Sequence, residues 1–251
     1  MSLPAENFWS AVPLGPGVRL LARDSHGLAA FDKPAGILSH PNKPGDEPRS
    51  LLNAAYDCEE ECFHWPGGAA PARLWLLNRL DSPTSGLILA AADGNLARAI
   101  RAQFKRRQVH KLYCALVFGA PARRQELWRD RLAIEKQDGR IRTRAAGNIP
   151  AECGMQVVRA GGGEPRLALL QLEPRTGRSH QLRVQCAGRH LPIVGDASYG
   201  DFKRNREFAR RTGCRRLFLH SLETAFDYER AGEEIHFQAR APLPPEFEEF
   251  L

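Results

Sequence analysis

The chain has 251 residues, 43% of them hydrophobic and 26% charged, which is ordinary globular composition with length for one large domain or two small ones. Its 18 prolines and 22 glycines follow no period, which excludes a collagen-like or low-complexity polymer, and no apolar stretch approaches the roughly 20 residues that span a bilayer. The 36 Lys and Arg against 29 Asp and Glu leave a formal charge of +7, which favours a polyanionic partner.

Residues 1–17 carry Pro and Gly breakers and little periodicity, so they read as an N-terminal arm ahead of one folded domain spanning residues 18–251. The arm lacks the basic start, apolar segment and cleavage site of a secretory signal, which predicts a soluble, cytoplasmic protein. Residues 18–22 and 27–31 read as a β-hairpin around the turn-prone Arg23-Asp24-Ser25-His26, stopped by Lys33-Pro34-Ala35-Gly36. Residues 42–73 are rich in Pro and Gly and read as an exposed excursion with a short helix over 51–62. Apolar runs at 74–77 and 87–91 predict two buried strands flanking the polar loop Asn78-Arg79-Leu80-Asp81-Ser82-Pro83-Thr84-Ser85-Gly86.

Asp93 then starts a helix through Arg107, with Leu96, Ile100 and Phe104 inward and the basic residues outward, followed by a strand over 112–119. Residues 120–150 read as a polar, Arg-rich passage. Residues 155–159, 167–172 and 182–185 suggest further strands or strand–helix elements, with Gly161-Gly162-Gly163 as a hairpin turn. Residues 217–221 and 235–239 close the strand set, and residues 242–247 end in a short helix or tail. No repeat is visible. Strands dominate without βαβ alternation, which predicts an α+β fold: a mixed, largely antiparallel β-sheet with flanking helices and loops.

The cysteines at positions 58, 62, 114, 153, 186 and 214 are too sparse for a disulfide scaffold and show no second pair to complete a zinc site with Cys58, Cys62 and His64, so reduced thiols and no metal are expected. Basic residues concentrate in two segments. One runs through Arg98, Arg101, Lys105, Arg106, Arg107 and Lys111, and the other through Lys203, Arg204, Arg206, Arg210, Arg211, Arg215 and Arg216 with Glu207 the single acid. Charge alone leaves two readings open, solvated helix faces or phosphate contacts.

Asp81, on a Pro-broken loop emerging from an apolar strand, is a candidate for chemistry or equally a turn-capping aspartate. Arg178, His180, Gln181 and Arg183 crowd another segment just after a strand, a donor set suited to holding a carboxylate ionised, binding phosphates or building a salt-bridge network. Pro192-Ile193-Val194-Gly195-Asp196 by itself is only a shaped loop.

Taken together and in order, these segments resemble the RluA family of RNA pseudouridine synthases from about Val18 to Ala241. The family's His-Arg-Leu-Asp-x-x-Thr-Ser-Gly box stands here as residues 78–86, opening with Asn78 where His is usual. Lys33-Pro34-Ala35-Gly36, Lys111 to Gly119, Thr176 to Arg183, Pro192 to Asp196 and Leu217 to His220 are similar to its other motifs, with Gln185 replacing a usual His. The resemblance implies the pseudouridine synthase fold and an isomerase that needs no cofactor. It implies Asp81 as the essential aspartate, Tyr113 as the residue that stacks on the target base, and Arg183 as the arginine paired with the aspartate. Arg79 would fill the space left by the flipped nucleotide, and Thr84, Arg178, His180 and Gln181 would lie against the RNA. Many members carry an S4-type RNA-binding domain ahead of the catalytic domain and here none is seen, so RNA grip is expected from Arg101, Lys105, Arg107, Arg210, Arg211 and Arg215.

The expected substrate is ribosomal RNA of the large subunit, with tRNA close behind, and the expected state is a monomer without metal. The alternative is a catalytically inactive RNA-binding protein of the same fold, in which Asp81 is a turn residue. A Ser85-His180-Asp81 hydrolase lacks the Gly-x-Ser-x-Gly elbow that would support it.

Overall fold

The computed structural model describes residues 8–67, 70–137 and 140–251, so the first seven residues of the expected arm lie outside the described residues. The chain divides into two compact units, Met1–Val109 with Glu223–Ala241, and His110–Leu222 with Pro242–Leu251.

In the first unit, β1 (Arg19–Arg23) and β2 (Leu28–Lys33) form the expected antiparallel hairpin, closed by Asp24, whose carboxylate accepts the N–H groups of His26 and Leu28. The excursion is β3 (Ala55–Asp57) and β4 (Cys62–Trp65), not a helix over 51–62. Asp57 accepts the N–H groups of Glu59 and Glu60, and this local bond offers the backbone a turn in place of a helix. β5 (Ala72–Leu76) and β6 (Ser85–Ala91) follow, with β6 buried at every position and paired to β2 on one side and β5 on the other.

Helix α1 (Gly94–Arg106) starts where the sequence places it, with the Asp93 carboxylate accepting the Leu96 N–H at 2.8 Å. Its Leu96, Ala97 and Ile100 pack with Leu28, Leu87, Leu89, Phe226 and Phe237 into one core. The part of the arm that is described is tied down: Trp9 is buried, Phe8 meets Trp65, and Leu14 bridges Leu52.

The second unit begins with β7 (His110–Phe118). β8 (Gln125–Gln137), β9 (Arg140–Ala145), β10 (Ile149–Ala160) and β11 (Leu167–Pro174) follow, in the spatial order β7-β11-β10-β8-β9 with antiparallel neighbours. The polar passage after residue 120 is therefore strand. Its period-two pattern is real, with Trp128 and Leu132 buried and Arg129 and Arg131 exposed, but the inward position between them is the half-buried Asp130, which hides the alternation.

Helix α2 (Gln181–Ala187) settles the open reading of residues 182–185 as helix, and α3 (Phe202–Thr212) carries the second basic segment. β12 (Leu219–Arg230) opens in this unit and continues into the first, where it pairs antiparallel with β13 (Glu233–Arg240); α4 (Glu246–Glu249) ends the chain. Leu116, Phe118, Trp128, Leu170, Phe218 and Phe247 are at the centre of the second core.

The result is the mostly antiparallel sheet with few helices that the sequence predicts. All six cysteines are free thiols, and no helix among the described residues is long and apolar enough to cross a membrane. Burial pushes the Cys153 thiol up to about 12.

Candidate active site and RNA-binding surface

The loop carrying Asp81 is held on both sides of that residue. Ser39, buried, donates its hydroxyl to the Leu80 carbonyl at 2.7 Å and accepts the Leu80 N–H at 3.0 Å, fixing the backbone just before Asp81. Just after it, the Ser82 carbonyl accepts from the Lys33 ammonium at 3.0 Å and from the Gly36 N–H at 2.8 Å. Lys33 is fully buried and also donates to the carbonyls of Pro34 and Ile37, so its charge is solvated by main-chain oxygens. Gly36 sits at φ +89°, a conformation that favours glycine, which explains the Gly of this turn. The Thr84 N–H donates to the Asp81 carbonyl at 2.9 Å, and Thr84 itself is buried under the turn. Asp81 is left half-buried on a rigid loop.

Asn78 accounts for the departure at the head of this loop. Its amide oxygen accepts the Leu89 N–H at 2.7 Å and its amide nitrogen donates to the Leu87 carbonyl at 3.4 Å, so the side chain substitutes for a strand neighbour of β6. Asn78→Ala leaves the Leu89 N–H unmatched. A loss of about 1–3 kcal/mol of stability is expected in urea unfolding, with turnover per folded molecule retained.

Arg79 is exposed and lies 3.7 Å from Glu61. Both partners are substantially open to solvent, so the pair is worth on the order of 0–1 kcal/mol and gives way readily to a phosphate. Arg101, expected at the RNA, is otherwise engaged: it donates to the carbonyls of Leu76 at 2.8 Å and Glu61 at 2.9 Å and pairs with the Glu61 carboxylate at 3.4 Å. It fixes the turn between β3 and β4. Lys105 and Arg107 remain exposed at the end of α1.

In the second unit, Tyr113 is half-buried on β7 opposite Leu172. The turn from Thr176 to Arg183 is organised by Gln181, whose oxygen accepts from the Thr176 hydroxyl and the Arg178 N–H and whose nitrogen donates to the Glu152 carbonyl and the Gln185 oxygen. Its amide capacity is used in full and it is only 4% exposed, which makes it a brace for the turn. Arg178 is half-buried, and His180, at φ +55°, faces the Tyr199 hydroxyl at 2.7 Å.

Arg183 is 5% exposed and grips Asp196 through both ends of one guanidinium edge, Nε to Oδ2 and Nη2 to Oδ1, each at 2.8 Å. Its carbon lies 5.0 Å from the centre of the Tyr199 ring. Burial alone would raise the Asp196 carboxyl; the Arg183 hydrogen bonds and charge, with the N–H groups of Tyr199 and Ser198, outweigh it and hold the pKa below the ordinary 3.8. Sequence reading missed Ser39, Asp196 and Tyr199. The available signal for Asp196 was its place in the motif from Pro192 to Asp196, a second acid in order after the arginine-rich box and so a ready counter-charge for Arg183.

The profile of the RNA pseudouridylate synthase family matches residues 27–188. The chain belongs to that family. Its relatives include tRNA pseudouridine synthase C of Haemophilus ducreyi, 31% identical over 230 residues that cover 88% of this chain and 89% of the relative. Ribosomal large subunit pseudouridine synthase D of Xanthomonas campestris is 30% identical, covering 96% of this chain and 70% of the relative. The solved structure of human RNA pseudouridylate synthase domain containing 4 superposes with a TM-score of 0.65 at 25% identity, over 91% of this chain and 90% of that one. Human RNA pseudouridylate synthase domain containing 1 shares the fold, with a TM-score of 0.67 at 22% identity, over 93% of this chain and 89% of that one. Both curated relatives belong to the RluA type that the motifs indicate, and the family's reaction is the isomerisation of uridine to pseudouridine in RNA.

Proposed function

We propose that this chain isomerises uridine in tRNA, with residues 18–251 as the catalytic domain, Asp81 as the essential carboxylate, and Tyr113 and Arg183 in the family's stacking and pairing roles. The observation that carries this reading is the catalytic box at 78–86 on a loop fixed on both sides of Asp81. The tRNA assignment is supported by relatives named tRNA pseudouridine synthase C, which this chain covers at 88–89% of their length. Ribosomal RNA is the second reading, favoured by the synthase D relative. The protein acts as a monomer in the cytoplasm without a metal.

The reaction breaks the C1′–N1 bond, turns the uracil and joins C5 to C1′; C5 gives up its proton and N1 gains one, so no electrons enter or leave. The base must first leave its stack at a cost of a few kcal/mol, which stacking on Tyr113 and insertion of Arg79 partly offset. Tritium release from RNA labelled at C5 of uridine tests the proposal. Release is expected from the tRNA fraction. Release from large ribosomal RNA alone reassigns the substrate, and no release from any fraction overturns the activity. Tyr113→Phe keeps the ring and is expected to bind RNA like the wild type, whereas Tyr113→Ala is expected to bind about tenfold more weakly in a filter assay.

A further inference from the structure

Helix α3 displays Phe202 at 56% exposure, the most exposed large hydrophobic side chain among the described residues. A lone surface phenylalanine needs no explanation, but its neighbours are not random. Residues of a helix step by about 100°, so Phe202, Arg206 and Arg210 form a ridge at i, i+4 and i+8 with about 6 Å of rise between them, and Lys203 borders that ridge three residues from Arg206. Lys203, Arg206 and Arg210 are exposed and have no ionic or hydrogen-bonded side-chain partner among the described residues.

The other cations of the helix lie across it and are engaged. Arg204 pairs with Asp201 at 3.6 Å, and Arg211 donates to the Glu164 carbonyl at 2.6 Å. The free charges and the bare aromatic ring thus share one arc, with the single acid of the segment, Glu207, at its edge beyond Lys203. The opposite arc is buried through Phe208, while Asn205 bolts the first turn to the loop before it, accepting the Gly195 N–H at 2.8 Å and donating to the Asp196 carbonyl at 3.0 Å. Asp201 caps the same turn by accepting the N–H groups of Lys203 and Arg204. The ring is therefore presented from a rigid element, which lowers the ordering cost of a contact.

We propose that this arc binds a single-stranded segment of the RNA substrate, Phe202 stacking on an unpaired base while Arg206, Arg210 and Lys203 take successive phosphates. A flat apolar ring among cations is the chemistry that recognises exposed bases on a polyanionic strand, and a duplex offers no such base face. The inference rests on RNA as the partner and adds a contact outside the modified uridine. It also selects among the basic residues of this segment: Arg210 belongs to the RNA-facing arc, and Arg211 to the anchoring of the loop at Glu164.

The test is fluorescence anisotropy with a short single-stranded oligoadenylate and a duplex of equal length, over a range of salt, alongside tritium release by the same preparations. Phe202→Ala is expected to bind the single strand about tenfold more weakly with the duplex unchanged, and Phe202→Trp to bind it like the wild type. Replacing Lys203, Arg206 and Arg210 together by Gln should lower the log–log salt slope by about 2, at about 0.7 per phosphate, while Arg211→Gln leaves it unchanged. Wild-type affinity in Phe202→Ala, an equal loss on both probes, or an unaltered slope in the triple variant overturns the arc. Tritium release by the wild type with any of those outcomes leaves the synthase reading standing. Absence of release with the Phe202 effect present removes the synthase reading and leaves the arc.

Discussion

Asp81→Asn is expected to lose tritium release from C5-labelled RNA by at least about a thousandfold while binding the same RNA as tightly as the wild type. The substitution is nearly isosteric, and the loop is held by bonds from Ser39, Lys33 and Gly36 to the backbone on either side of residue 81, not by its carboxylate oxygens alone. Geometry is therefore retained and the charge removed. A carboxylate that adds to the sugar and one that removes a proton from it both fail as an amide, so the result is independent of which step Asp81 performs. Turnover in Asp81→Asn within tenfold of the wild type would return this residue to the status of a turn cap and promote the inactive RNA-binding alternative. Loss of RNA affinity in parallel with turnover would instead point to a collapsed loop, which far-ultraviolet circular dichroism and urea unfolding would register.

The second large effect is expected at Asp196, where Asp196→Ala should destabilise the protein by about 3–5 kcal/mol in urea unfolding, because it takes the bidentate carboxylate partner from an Arg183 guanidinium that is only 5% exposed. Arg183→Met with Asp196→Leu removes both charges and should recover much of that stability without recovering turnover. A double variant as unstable as the single one would show that the loss comes from packing. The pH dependence follows from the depressed pKa of Asp196. A carboxyl held below its unfolded value stabilises above that value and loses its contribution as pH falls through the folded one. The stabilisation is complete at neutral pH, starts to fade as pH approaches the ordinary value of 3.8, and is lost progressively below it. Asp196→Asn should lack that acid limb in the urea midpoint.

How much of this was legible in the sequence depended on whether the deciding forces were local. The start of α1 was readable because Asp93 caps it and Leu96 and Ile100 repeat at helical spacing, and β6 because its apolar run is bounded by polar residues. The strand β8 was hidden because Asp130 occupies a half-buried position, accepting from Gln185 and Arg189 far along the chain. The hairpin of β3 and β4 was hidden because Tyr56, Cys62 and Phe63 fit a short helix as well as two strands, and the Asp57 turn decides between them. Motif order is what implies the family roles proposed for Asp81, Tyr113 and Arg183. The groups that hold them, Ser39 and Asp196, lie in segments whose local patterns said only loop.

The amide chain through Gln181 and Gln185 has an evolutionary consequence. Gln185 accepts from Gln181 and donates to Asp130 at 2.7 Å, while Asp130 also pairs with Arg189 at 3.0 Å. Each group takes its hydrogen-bond polarity from the next, so a histidine introduced at position 185 supplies a different set of donors and acceptors to both neighbours. Substitutions along this chain are expected to be strongly epistatic, tolerated in combinations and penalised singly.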